Sequence, residues 1–97
     1  MKHARSDYDR FQDPALYDNS LLPEGSTPIG ADEPVMLFRA QDKLFISVLN
    51  HYRDCLLGTG NKIMVRMVDD HIRAVREWQD AHGCKYPDVP KEVAEEG

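Results

Sequence analysis

The sequence lacks a long apolar run, a basic excess and the start of an apolar signal segment. No stretch of about 20 apolar residues, the length that crosses a bilayer, occurs in it. The first ten residues, MKHARSDYDR, lead into more polar sequence. Lysine and arginine number 12 against 17 acidic residues, for a formal charge of −5, which offers no basic stripe of the kind that follows a nucleic-acid backbone. We expect a soluble, cytoplasmic protein that binds neither a membrane nor duplex nucleic acid.

Motifs with established catalytic chemistry are missing as well. The chain has no glycine-rich phosphate loop, no GxSxG turn and no HExxH helix. Asp69, Asp70 and His71 are adjacent, but neighbouring helical residues point about 100° apart and do not share one site. We expect no catalytic residue and no cofactor, so the protein is not predicted to be an enzyme.

Cysteine is scarce, with Cys55 and Cys84 in neither a CxxC pair nor a zinc spacing. They are predicted at opposite ends of a helical hairpin about 30 Å long, whereas a disulfide needs Cα atoms within about 7 Å. Two free thiols are therefore expected, with Cys55 as a small core residue. An alternative is a zinc site of Cys55, His51 and His71, but its spacing is unspecific and no metal site is predicted.

What the sequence does contain begins with an irregular arm. Residues 1–34 are polar, acidic and interrupted by prolines and glycines that favour turns. The arm, a core over 35–84 and an extended tail over 85–97 are expected to form a single domain. The apolar side chains of the arm are expected to pack on that core: Tyr8, Phe11, Leu16, Tyr17, Leu21, Leu22 and Ile29.

Hydrophobic spacing predicts one strand and then a first helix. Residues 35–38 are apolar without alternation, typical of a strand covered on both faces. That strand must pair either with the arm or with its equivalent in another subunit. The first helix is predicted from Gln41 or Asp42 to about Leu57, with an apolar stripe wider than one neighbouring helix could cover.

A second helix is predicted from Lys62 to His82, with Asn61 as its N-cap and Gly83 as its stop. The short link favours antiparallel packing. The fold class is mainly α: an antiparallel two-helix hairpin preceded by one short β-strand and an irregular N-terminal arm. Seven side chains are expected to face the core: Met64, Val65, Val68, His71, Ile72, Val75 and Trp78. Ion pairs four residues apart are expected opposite them: Arg66–Asp70, Asp69–Arg73, Arg73–Glu77 and Arg76–Asp80.

The apolar excess also predicts self-association. A chain of 97 residues buries only about 60 to 65% of its unfolded surface and is marginal as a monomer. A homo-oligomer is therefore expected, and a dimer is favoured because two-fold symmetry is the commonest.

Arg39 is placed where the predicted strand meets the first helix. A cation there is unfavourable with the helix macrodipole unless a negative group lies between them. Asp42 or Glu33 could supply it as a local ion pair. Alternatively, an anion could be held by Arg39, Gln41, Asp42 and Lys43 together with the amides of the first turn, since helix N-termini bind phosphates and carboxylates. These four are the predicted ligand-binding residues.

The stretch DEPVMLFRAQDKL, from Asp32 to Leu44, resembles an element of short proteins from bacterial and phage or prophage genomes. In that element an acidic, proline-led apolar strand passes through Arg-Ala-Gln-Asp into a helical hairpin. The resemblance extends from Asp32 to Pro90 and leaves the arm outside it. It implies a small accessory protein carried by a mobile element, and it assigns no functional residue.

Three functions follow from these observations. The first is a non-enzymatic protein that oligomerises and acts by binding a partner protein. The second is a counter-defence type of protein that sequesters an anionic metabolite or nucleotide signal at Arg39. The third is a metal-dependent enzyme built on His51, Cys55 and His71.

Overall fold

Two helices dominate the part of the chain that the structure describes. The computed structural model describes residues 1–11, 24–25 and 29–91. Helix α1 spans Phe45–Thr59 and helix α2 spans Lys62–His82. Strands β1, Lys2–His3, and β2, Pro34–Val35, form a two-stranded parallel sheet. No helix among the described residues combines the length and the apolar composition needed to cross a membrane.

The chain divides into two compact units. One consists of residues 1–37 with 89–97, and the other of residues 38–88. The first unit holds the sheet and the second holds both helices.

The sheet in the first unit is shorter than the predicted strand. The amide of Lys2 donates to the carbonyl of Glu33 at 2.7 Å, and the amide of Ala4 donates to that of Val35 at 2.9 Å. Met36 and Leu37 lie beyond the sheet and are 60% and 41% exposed, so the prediction of a strand over 35–38 covered on both faces is wrong. An apolar run without alternation does not distinguish a strand from an irregular segment.

Among the described residues of the arm, one aromatic side chain is buried in the first unit. Tyr8 is buried and contacts Phe11 edge to face, with ring centroids 5.7 Å apart, while Phe11 remains about half exposed. Ile29 is half-buried. The other predicted anchors lie outside the described residues: Leu16, Tyr17, Leu21 and Leu22.

Helix α1 begins later than predicted, at Phe45 instead of Gln41 or Asp42. Its approach is held by Lys85: the Lys43 amide donates to the Lys85 carbonyl, and the Lys85 amide donates to the Gln41 carbonyl, both at 2.8 Å. This bridge gives residues 41–43 strand-like hydrogen bonds, which local helix signals could not reveal. Gly60, at φ 77°, ends the helix, in the left-handed conformation that favours glycine.

The predicted bounds of α2 are confirmed. The Asn61 side chain accepts a hydrogen bond from the Met64 amide at 3.0 Å and caps the N-terminus. Gly83, at φ 82°, stops the helix. Both ends are determined by side chains and glycines close in sequence, so local rules suffice to find them.

The core of the second unit lies where α1 and α2 pack against each other. Phe45 of α1 is buried there, and α2 contributes buried residues at alternating spacings of three and four: Val65, Val68, Ile72 and Val75. His71 and Trp78 were expected in this core but are exposed. Cys55 is also exposed, so its prediction as a core residue is wrong. Both cysteines are free thiols, as predicted.

Candidate functional site

The four predicted ligand-binding residues precede α1. Arg39 and Lys43 are exposed, and Gln41 and Asp42 are half-buried. The Lys43 ammonium lies 4.9 Å from the centroid of the Tyr86 ring, in cation–π contact. Backbone hydrogen bonds to residue 85 hold residues 41–43 in place before α1. Arg39 lies further back, six residues before the first residue of α1.

Three amides near the start of α1, those of residues 43, 44 and 45, have acceptors in the chain. Asp42 Oδ1 accepts from the Leu44 amide at 2.8 Å, and the Asp42 carbonyl accepts from the Phe45 amide at 3.1 Å. The Lys43 amide is bonded to residue 85. The Asp42 carboxylate thus already binds one of the amides at this helix start. No ion pair joins it to Arg39 among the described residues.

An open pocket of about 300 Å³ lies between α2 and the segment that leads into α1, residues 38–45. Phe38 stacks on Phe45 with ring centroids 5.3 Å apart, and His71 contacts Phe45 edge to face at 5.9 Å. The Gln79 side-chain amide donates to the carbonyl of Ala40 at 2.8 Å and holds the segment on the helix. The wall is mainly apolar: Phe38, Ala40, Phe45, His71, Ala74, Val75 and Trp78.

Each helix carries a second, exposed stripe of mainly apolar side chains. The α1 stripe comprises Leu44 at the N-cap position, Val48, His51 and Cys55. The α2 stripe comprises Met67, His71, Ala74 and Trp78. Both follow the spacing four, three, four, which is the repeat of helix-packing seams. The α2 stripe lies one residue before the buried seam, and the α1 stripe lies one residue before buried Phe45 and half-buried Leu49 and Leu56. A displacement of one residue is about 100° around a helix.

Charged residues cover a different side of α2. Asp69 pairs with Arg53 of α1, and Asp70 pairs with Arg73 at 3.9 Å. The hydrogen bond and charge of Asp69 raise the pKa of Arg53 above its ordinary value. Helical spacing had predicted other partners, Arg73 for Asp69 and Arg66 for Asp70. Packing places α1 within reach of Asp69, which helical spacing alone could not show.

The proposed zinc ligands do not converge within one chain. Cys55 Sγ and His51 Nε2 are 3.9 Å apart. His71 instead packs against Phe45. Within residues 1–11, 24–25 and 29–91, no three histidine, cysteine or acidic side chains are grouped to hold a metal ion.

Comparison with known proteins finds no family model that matches the chain, and no curated protein or solved structure with significant similarity to it. Sequence reasoning missed the pocket residues Phe38, Ala40 and Trp78. The signal available for Trp78 was its place in the apolar pattern of α2, where it was predicted to face the core.

Proposed function

We propose that this chain is a non-enzymatic protein that assembles with copies of itself and acts by binding a partner protein. The observation that carries this is the second exposed stripe on each of two packed helices. A helix of a small monomer ordinarily has one apolar side. A second stripe with helix-packing spacing favours contact with further helices.

The proposed arrangement of the helices is an antiparallel hairpin. The two-residue link between Thr59 and Lys62 supports it. So do two contacts between the helices, since Phe45 at the start of α1 meets His71 near the middle of α2, and Arg53, further along α1, pairs with Asp69, nearer the start of α2. When two helices pack antiparallel, the residues one position before the buried residues of each helix lie on the same side of the pair. The α1 and α2 stripes would then form one continuous surface.

The two stripes have separate proposed roles. The α1 stripe joins copies of the chain, a dimer being the favoured oligomer. The α2 stripe, with its pocket, receives an apolar side chain from a helix of the partner protein. The pocket volume of about 300 Å³ lies at the lower end of the range for small-molecule sites, which suits one inserted side chain.

Self-association is tested by a charge on the α1 stripe. Val48→Asp places a carboxylate in the contact, while Leu57→Asp puts the same group on an exposed position of α1 outside the stripe. We expect light scattering after size exclusion to give an oligomer for the parent and for Leu57→Asp, and a monomer for Val48→Asp. A parent protein that is monomeric throughout would contradict the proposal.

Partner binding is tested by bulk and charge on the α2 stripe. Ala74→Arg fills the pocket wall, and Asp80→Arg introduces the same side chain at an exposed position outside the stripe. We expect a protein captured by the parent to be lost with Ala74→Arg and retained with Asp80→Arg. Equal capture by both variants would show that the pocket is not the contact.

The second candidate is a protein that sequesters an anionic metabolite or nucleotide signal. The observation that favours it is the pocket itself, because Phe38 and Ala40, which flank Arg39 in sequence, help to line a wall rich in aromatic rings. Planar rings stack on such walls, and an arginine is suited to phosphate. The occupied amides near α1 favour the protein-binding role over this one.

Native mass spectrometry distinguishes the two candidates. A retained small anion that disappears with Arg39→Ala and persists with Arg76→Ala, an exposed arginine on α2, would establish the second. A bare chain mass with intact partner binding would establish the first. In either case the resemblance to phage and prophage proteins supports an accessory role in the cytoplasm of a cell that carries the mobile element.

A further inference from the structure

His51 and Cys55 have the geometry of two zinc ligands on one helix. The His51 Nε2 and Cys55 Sγ atoms are 3.9 Å apart. With Zn–S of about 2.3 Å and Zn–N of about 2.0 to 2.1 Å, tetrahedral coordination separates a bound sulfur from a bound nitrogen by about 3.6 Å. A small side-chain rotation closes the difference. The spacing of four residues places both groups on one face, as it does in helical zinc motifs.

One chain supplies only half of such a site. Structural zinc sites are closed by four protein ligands. Among the residues that the structure describes, no third histidine, cysteine or acidic side chain joins the pair. All histidines and cysteines of the sequence are among the described residues, so a closed site of histidine and cysteine ligands built on His51 and Cys55 needs ligands from another molecule.

The position of the pair suits a second copy of this chain. His51 and Cys55 belong to the α1 stripe. The midpoint between them lies about one residue from the middle of α1, Phe45–Thr59. A two-fold axis through the middle of a helix face brings each residue there close to its own copy. Two α1 helices packed in this way would bring together two imidazoles and two thiols, which is the Cys₂His₂ set of structural zinc sites.

The neighbouring side chains add a reason for a metal. Leu44 and Val48 lie on the same stripe and are exposed. If the stripe is covered by a second copy, a thiol and an imidazole that contact each other at 3.9 Å are buried among apolar groups, where their remaining hydrogen-bonding capacity is unmet and unfavourable. Coordination by zinc would satisfy both.

We propose that two copies of the chain bind one zinc ion between their α1 helices through His51 and Cys55 of each. This inference rests on the proposed self-association through the α1 stripe. Each thiol loses its proton to solvent as its sulfur–zinc bond forms, and each imidazole binds through neutral Nε2. Two protons are released per zinc if both thiols are protonated beforehand, and no oxidation or reduction occurs.

The test is a titration of chelator-treated protein with zinc, followed by native mass spectrometry. One zinc per two chains is expected. Cobalt in place of zinc should give the visible absorption of a tetrahedral ion together with a thiolate charge-transfer band. His51→Ala and Cys55→Ser should weaken binding by more than about 100-fold, since the loss of a merely supporting residue costs about 10- to 100-fold.

Cys84→Ser is the matched control, because Cys84 is the other exposed free thiol and has Asp80, not a histidine, four residues before it. It should bind zinc like the parent. Cys55→His exchanges a sulfur ligand for a nitrogen, so it should retain zinc and lose the thiolate band.

The results separate this inference from the proposed function. An oligomer that takes up no zinc, or one zinc per chain without a change in assembly, would overturn the inference and leave self-association standing. Loss of zinc binding in Cys84→Ser would overturn it as well. A monomer that takes up no zinc would contradict both, whereas dimerisation driven by zinc and abolished by Cys55→Ser supports the inference.

Discussion

Single residues in the second unit differ sharply in how much they contribute to stability. Phe45 is 7% exposed and contacts the rings of Phe38 and His71. Leu57, on the same helix, is 53% exposed. The sequence marks both as apolar, and only packing distinguishes the core residue from the surface one.

Phe45→Ala should lower the free energy of unfolding by about 3 to 5 kcal/mol, because it removes a buried ring and leaves a cavity. Leu57→Ala should change it by no more than about 0.5 kcal/mol, as is usual for exposed positions. Urea denaturation followed by circular dichroism measures both. Equal effects would show that Phe45 is not a core residue.

At the scale of elements, two glycines at the end of α1 have different backbone conformations. Gly60 caps α1 at φ 77°, whereas Gly58 lies inside the helix, and a Cβ atom at either position would meet no other atom within 4 Å. Steric clash is therefore absent at both sites, and backbone conformation alone determines the effect of a substitution.

Gly60→Ala should destabilise the protein by about 1 to 2 kcal/mol, because an L-residue in the left-handed region is strained. Gly58→Ala should stabilise it by about 0.4 to 1 kcal/mol, since alanine is a better helix former and restricts the unfolded chain. Thermal melts of the two variants should shift in opposite directions. Shifts of the same sign would contradict the assigned conformations.

The N-cap of α2 provides a further test at this scale. Asn61→Ala removes the acceptor of the Met64 amide and should cost about 1 kcal/mol, as N-cap replacements typically do. Asn61→Asp preserves an acceptor and adds favourable charge at the helix start, so its stability should stay close to that of the parent. Chemical denaturation of the three proteins gives the comparison.

The start of α1 shows why boundaries are harder to predict than helices. Its apolar spacing indicated a helix correctly, and Asp42 suggested the first turn. In the structure Asp42 instead accepts a hydrogen bond from the Leu44 amide, an Asx-type turn that competes with helix formation. The bridge to Lys85, more than forty residues away in sequence, adds a constraint that local patterns do not contain.

For the whole molecule, the proposed assembly depends on apolar contact and not on charge. Sedimentation of the parent in about 1 M NaCl should show the same oligomer as in dilute buffer, since salt at that concentration screens charges beyond about 3 Å but does not weaken apolar burial. Dissociation by salt would indicate that ion pairs hold the assembly, and the α1 stripe would lose its assigned role.

The sequence by itself determined the two helices, the cap and stop of α2 and the free state of both thiols. Each of these follows from interactions within a few residues or from the separation of two points along a helix. The same local reasoning identified Arg39 as unusual and recorded an excess of apolar side chains, without showing where that excess lies.

Only the tertiary structure decided which apolar residues are covered. Helical spacing shows that Val75 and Trp78 share a broad apolar side, yet packing against α1 buries the first and leaves the second exposed. The tertiary structure also pairs Asp69 with Arg53 and places residue 85 beside the start of α1. These outcomes depend on contacts between segments distant in sequence, because burial is a property of what lies opposite a side chain and not of the side chain alone.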